Sequence, residues 1–175
     1  MATRQLKALI EKGNHEVGAL NSLKVKTLAH GAIATEDMDN FLMGEVGFDT
    51  DGERTVSILT DSTKPGYIIA SPEARYMGEE LVDFYNAEGE RVRLVVPEAQ
   101  YTRFQTSAFK KADGVTEIKA GQVAYFNTTD KKYEIFEAGT EDAGFTGAAT
   151  KFTVVESESD MEYLVGKEMV KLEVQ

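Results

Sequence analysis

Short runs in which apolar and polar residues alternate fill most of the chain beyond residue 40, and a period of two marks strands with one buried face. Phe41 to Phe48 and Thr55 to Thr60 are two such runs. Asp49-Thr50-Asp51-Gly52-Glu53 joins them, and its Asp-Gly pair predicts a hairpin. In the second run Val56, Ile58 and Thr60 share one face, with Ser57 and Leu59 on the other. Lys64-Pro65-Gly66 predicts a turn, and Tyr67 to Ala70 a short strand that stops before Pro72, which has no N–H to donate. Leu81 to Tyr85 reads as a further strand, followed by a turn over residues 86–90. Arg91 to Val96 comes next and ends at Pro97. There Val92, Leu94 and Val96 share a face, which turns the two arginines to the opposite one. Tyr101 to Phe104 alternates aromatic and polar residues.

The last third continues in this style. Val115 to Ile118 predicts a short strand, and Gln122 to Phe126 with Tyr133 to Phe136 predicts a hairpin closed by residues 127–132. Residues 137–150, rich in Ala, Gly and Thr, read as a long surface loop. Lys151 to Val155 and Met169 to Val174 alternate again, with Val170, Leu172 and Val174 on one face. Many short strands separated by Gly and Asp turns predict a mainly β fold, a sandwich or barrel-like domain. The aromatic residues at strand positions, Phe41, Phe48, Phe84, Phe104, Tyr125, Phe126, Phe136 and Phe152, are expected in its core.

Residues 1–30 have a different texture. Leu6, Leu9, Ile10 and Val17 hint at an amphipathic helix, but Gly13, Asn14 and Gly18 break its period near residue 12. Arg4, Lys7, Lys12, Lys24 and Lys26 make this stretch basic. It reads either as an extended N-terminal arm whose cations dock on a partner or as a first strand and loop packed on the chain's own core. The β-rich body then spans 31–175, as one domain or as two small lobes, 31–78 and 79–175. Residues 35–40 are expected to form a polar turn or a single helical turn capped by Thr35.

Charge narrows the partners. The 175 residues hold 30 Asp plus Glu against 19 Lys plus Arg, a net charge of −11, so most of the surface should repel nucleic acid. No apolar run approaches the roughly 20 residues that span a bilayer, and the N-terminus lacks the apolar stretch of a signal peptide. The expectation is a soluble protein made in a cytoplasm, with neither nucleic acid nor membrane as partner. Cysteine is absent, which removes disulfides, thiolate metal sites and cysteine nucleophiles.

Candidate chemistry adds little. His15 and His30 fit no metal-ligand spacing, and no nucleophile elbow surrounds Ser22 or Thr27. Asp49, Asp51 and Glu53 could converge on Ca²⁺, but the Gly falls too early for an EF-hand loop and no terminal bidentate Glu follows, so a solvated hairpin turn is the better reading. Glu141-Asp142 and Glu156 to Asp160 read as acidic loops, and Asn127-Thr128-Thr129 as a hairpin tip. Paired carboxylates of a hydrolase remain conceivable among 30 acids, yet no Trp is present to stack a sugar. No enzyme, cofactor or metal is expected. For glycan recognition, Phe145 is the strongest loop aromatic.

The order of elements in the second half carries a resemblance. Gly89-Glu90-Arg91-Val92-Arg93-Leu94-Val95-Val96-Pro97 precedes Tyr101 to Phe104. Ile118-Lys119-Ala120-Gly121-Gln122-Val123 and a charged turn follow, then a small-residue loop and the alternating terminal strand. Over about residues 79–175 this resembles the decoration or cement proteins of tailed-bacteriophage capsids. The resemblance implies a structural virion protein on the capsid exterior that binds the major capsid protein across capsomer joints, alone or as a homo-oligomer, often by strand addition to a neighbouring sheet. A receptor- or glycan-binding β-domain of a head fibre or tail is the alternative.

Overall fold

The structure, a computed structural model, describes residue 20 and residues 25–72, 84–156 and 168–175. It is mainly β and consists of two curled, barrel-like sheets. The first contains β1 (Ala32–Ala34), β2 (Met43–Phe48), β3 (Arg54–Ile58), β4 (Tyr67–Ile69), β5 (Arg91–Val92) and β6 (Leu94–Val95), in the order β5-β1-β3-β2-β4-β6. The two outermost strands are separated in sequence by Arg93 alone, so the sheet curls until its ends meet on that residue. The β2–β3 hairpin is the one its Asp-Gly signal predicts, with Phe48 opposite Arg54. The β1–β3 pair is parallel.

The second sheet repeats the device. It contains β7 (Arg103–Thr106), β8 (Phe109–Lys111), β9 (Val123–Asn127), β10 (Lys132–Phe136), β11 (Lys151–Glu156) and β12 (Val170–Val174), in the order β7-β12-β11-β9-β10-β8. Its outer strands, β7 and β8, are joined by Ser107 and Ala108. Again one interrupted strand serves both ends of a sheet, and again one pair, β8–β10, is parallel. Curling brings together backbone edges that would otherwise offer unpaired N–H and C=O groups.

The two sheets share one core. Phe41, which leads into β2, places its ring 5.3 Å from Phe104 of β7. Phe104 in turn meets Tyr133 at 5.5 Å and Phe152 at 5.8 Å, and Tyr133 meets Phe126 at 5.3 Å. All five rings are buried. The backbone of Phe41 adopts φ +61°, an uncommon region for an aromatic residue, and its carbonyl accepts the Tyr133 hydroxyl at 2.6 Å. Beside it, a buried polar group fixes the approach to β2: Asn40 donates to the Ser71 carbonyl at 3.0 Å and accepts the Ser71 N–H at 2.9 Å.

Several expectations need correction. Residues 115–118 form no strand; Val115 and Ile118 are buried from a loop, and the strand lies at Phe109–Lys111. The 137–150 segment contains a short helix, α1 (Ala143–Gly147), whose first turn is capped by the Asp142 carboxylate accepting the Phe145 N–H at 2.8 Å. Thr35 caps no helix, since its hydroxyl donates to the Val56 carbonyl at 3.1 Å. Residues 81–83 lie outside the described residues, and Phe84 and Tyr85 that follow are not in a strand. Phe48 is not core: it is 69% exposed. Leu94 and Val95 are both fully buried, so alternation stops where the strand is interrupted at Arg93.

Candidate partner-binding surface

The basic residues assigned to the arm fall mostly beyond view: Arg4, Lys7, Lys12 and Lys24 lie outside the described residues, as does His15. Lys26 is exposed and forms an ion pair with Glu98, whose carboxylate, by hydrogen bond first and charge second, holds the Lys26 ammonium above its ordinary pKa. The backbone around it is tied to the first sheet. The Val96 N–H donates to the Lys26 carbonyl at 2.8 Å, and the Leu28 N–H donates to the Leu94 carbonyl at 2.9 Å.

This pairing continues into β1, where Ala32 faces Val92 and Ile33 faces Arg91. Between the Leu28–Leu94 bond and the Ala32–Val92 pair, Ala29, His30 and Gly31 on one strand face Arg93 alone on the other. The surplus residues bulge out of the ladder. Bulges of this kind re-aim side chains and concentrate near functional sites. His30 and Gly31 both turn left-handed, at φ 62° and 59°. Gly31 is required there, because a Cβ would stand 2.0 Å from the Val92 carbonyl oxygen.

Two arginines hold the bulge. Because β1 lies between β3 and β5, Arg54 and Arg91 flank its start. Arg54 donates to the Ala29 carbonyl at 2.8 Å, and Arg91 donates to the His30 carbonyl at 3.0 Å and to the Glu53 carboxylate at 2.9 Å. Opposite the bulge, Arg93 donates from Nε to the Ala70 carbonyl at 2.6 Å. An open recess of about 580 Å³ runs from the exposed Phe48 ring past Arg54 and Arg91 to the bulge. A second recess of about 330 Å³ shares His30, Gly31 and Arg91 with it and extends to Arg93 and Pro72. The arrangement is an arginine-lined groove with an aromatic rim, suited to gripping carboxylate or phosphate oxygens beside an apolar group.

Other sequence candidates take structural roles. The Asp49 carboxylate accepts the N–H groups of Asp51 and Glu53 at 2.9 and 2.8 Å, which builds the hairpin turn. Asn127 likewise accepts the Thr129 N–H at 2.9 Å in its own hairpin tip. Phe145 is not an open loop aromatic: it is half-buried, its ring 6.5 Å from Tyr125 and 6.3 Å from Phe136, with the Lys151 ammonium 4.9 Å above it. Tyr101, at 73%, is exposed instead.

No sequence motif groups Arg54, Arg91 and Phe48. Arg91 and Arg93 were legible as one face of a strand, but only the β3-β1-β5 order brings Arg54 to them.

Comparison with known proteins fixes the origin of this scaffold. The YonC prophage protein family matches residues 11–175. The chain belongs to that family. A relative from Bacillus subtilis (strain 168), described as the SPbeta prophage-derived uncharacterized protein YonC, is 52% identical over 175 residues, covering 99% of this chain and 98% of the relative. No solved structure matches. A family of prophage proteins makes the chain phage-derived, and the groove belongs to a phage protein.

Proposed function

We propose that this prophage protein is a structural component of the virion that binds the outer surface of the capsid and stabilises it across capsomer joints. The observation that supports this reading is the contrast between scaffold and surface. Two curled sheets share one aromatic core, and beside them a strained bulge, held by arginines, opens next to an exposed phenylalanine. A block with a fixed docking face suits a protein that adds many identical contacts to a lattice, since a preorganised surface loses little entropy on each binding event. The interrupted strands also shift the expected mode of docking. Because each sheet's ends meet on one segment of chain, side chains at the groove are better placed than a sheet edge to receive a partner.

The test is to mix the protein with empty, mature phage shells. Binding is read by co-sedimentation and by the temperature at which the shells break. The protein should sediment with the shells and raise that temperature. Failure of both would end the capsid reading.

A further inference from the structure

We propose that the groove around the 29–31 bulge is a docking site for an extended, acidic segment of a partner protein, bound with carboxylates on the arginines and an apolar side chain against Phe48. The inference deepens the capsid reading and rests on it only for where the partner resides.

The charge distribution carries the argument. The chain has a net charge of −11, yet three of its six arginines, Arg54, Arg91 and Arg93, line two recesses that share residues. Arg54 and Arg93 are held by neutral carbonyls, those of Ala29 and Ala70, and neither forms an ion pair with a described residue. The nearby carboxylates are already engaged, Glu53 with Arg91 and Asp49 with the turn amides. A guanidinium has five N–H donors, so one bond to a carbonyl fixes its position and leaves donors for a carboxylate. Fixing it beforehand lowers the entropic cost of binding. Phe48 sits directly across the hairpin from Arg54 and is exposed, so an apolar side chain beside a bound carboxylate would cover it.

Phosphates would also satisfy arginines, but a nucleic-acid strand continues past the groove and meets an acidic body along its length. A short acidic segment fits inside the groove, so the charge pattern favours protein.

The experiment uses the full chain and a fluorescein-labelled peptide alternating Glu and Leu, with a Gln/Leu peptide as the neutral control and anisotropy as the readout. The acidic peptide should bind, lose affinity as salt rises, and bind about tenfold more weakly to the Arg54→Gln/Arg93→Gln variant, as expected when charge-assisted hydrogen bonds are removed. Lys132→Gln/Lys151→Gln, which removes the same charge elsewhere, should bind like the native chain. Phe48→Ser, at an exposed position, should weaken binding several-fold and keeps the test open if the arginine variant melts early. Equal weakening by the lysine variant, tighter binding of a labelled single-stranded oligonucleotide, or no peptide binding would each overturn the proposal. Shells separate the two readings. If native protein sediments with shells and the arginine variant does so undiminished, the groove inference falls and the capsid reading stands. If the peptide binds as expected and shells do not, the groove stands and the capsid reading falls.

Discussion

The Tyr133 hydroxyl in the second sheet donates a 2.6 Å hydrogen bond to the carbonyl of Phe41 at the entrance to the first. Both residues are fully buried, and both rings pack against Phe104 in the shared core. Tyr133→Phe keeps the ring and removes the donor, leaving a buried carbonyl without that partner. The expected loss is about 1–3 kcal/mol. Urea unfolding should show a lower midpoint with an unchanged slope. An unchanged midpoint would mean that the bond does not help join the sheets.

Gly31 and Gly52 share a left-handed backbone but differ in their surroundings. At Gly31 a Cβ collides with the Val92 carbonyl, whereas at Gly52 nothing lies within 4 Å. Gly52→Ala should therefore cost only the backbone strain, about 1 kcal/mol. Gly31→Ala adds a collision with backbone that has little room to move, and should cost on the order of 3 kcal/mol or more. Thermal melting of the two variants side by side checks the ranking, and equal melting points would contradict the tight bulge.

Two tyrosines make the fold sensitive to alkali. Burial pushes the Tyr133 phenol well above its ordinary range. Tyr125 is pushed up to about 12, by burial first and then by the charges of Asp142 and Glu134. In the unfolded chain a tyrosine ionises near pH 10, so above that the unfolded state sheds protons that the folded state keeps. The contribution to stability is complete below about pH 10 and is lost as the pH rises towards the folded value of about 12. Tyr133→Phe and Tyr125→Phe should each flatten the fall in melting temperature over this window. Phenolate absorbance that reaches its full value before unfolding begins would contradict the assignment.

Val95 lies at the centre of the closure, fully buried in β6 and facing Ile68 of β4 across the ladder. Val95→Asp would bury a carboxyl group among apolar side chains and should cost on the order of 3 kcal/mol or more. Loss of the cooperative melt, or recovery of the protein only in aggregates, is the expected result. A variant as stable as the native chain would mean this strand does not close the sheet.

What was legible in the sequence follows from which interactions are local. The β2–β3 and β9–β10 hairpins depend on turns a few residues long, so Asp-Gly and the charged 127–132 tip announced them. The terminal strand β12 showed itself by strict alternation. Phe109–Lys111 was missed because its lysines hide a strand whose partner, β10, lies more than twenty residues away in a parallel register. Val115 and Ile118 misled in the opposite sense, since apolar residues can be buried from a loop. Phe48 looked like core because it alternates correctly, but it sits at the turn end of its hairpin, opposite Arg54, and faces solvent. The groove was the least legible feature. Its arginines come from strands gathered only by tertiary topology, and its bulge exists because three residues face one.

The central claim, that this phage-derived protein is part of the capsid exterior, is tested most directly by the composition of purified particles. Virions banded on a density gradient would be digested and their proteins quantified by mass spectrometry. The protein should remain with the particles in a fixed, repeated proportion to the major capsid protein. Its absence from banded particles, or a copy number that follows tail proteins and not the shell, would contradict the account.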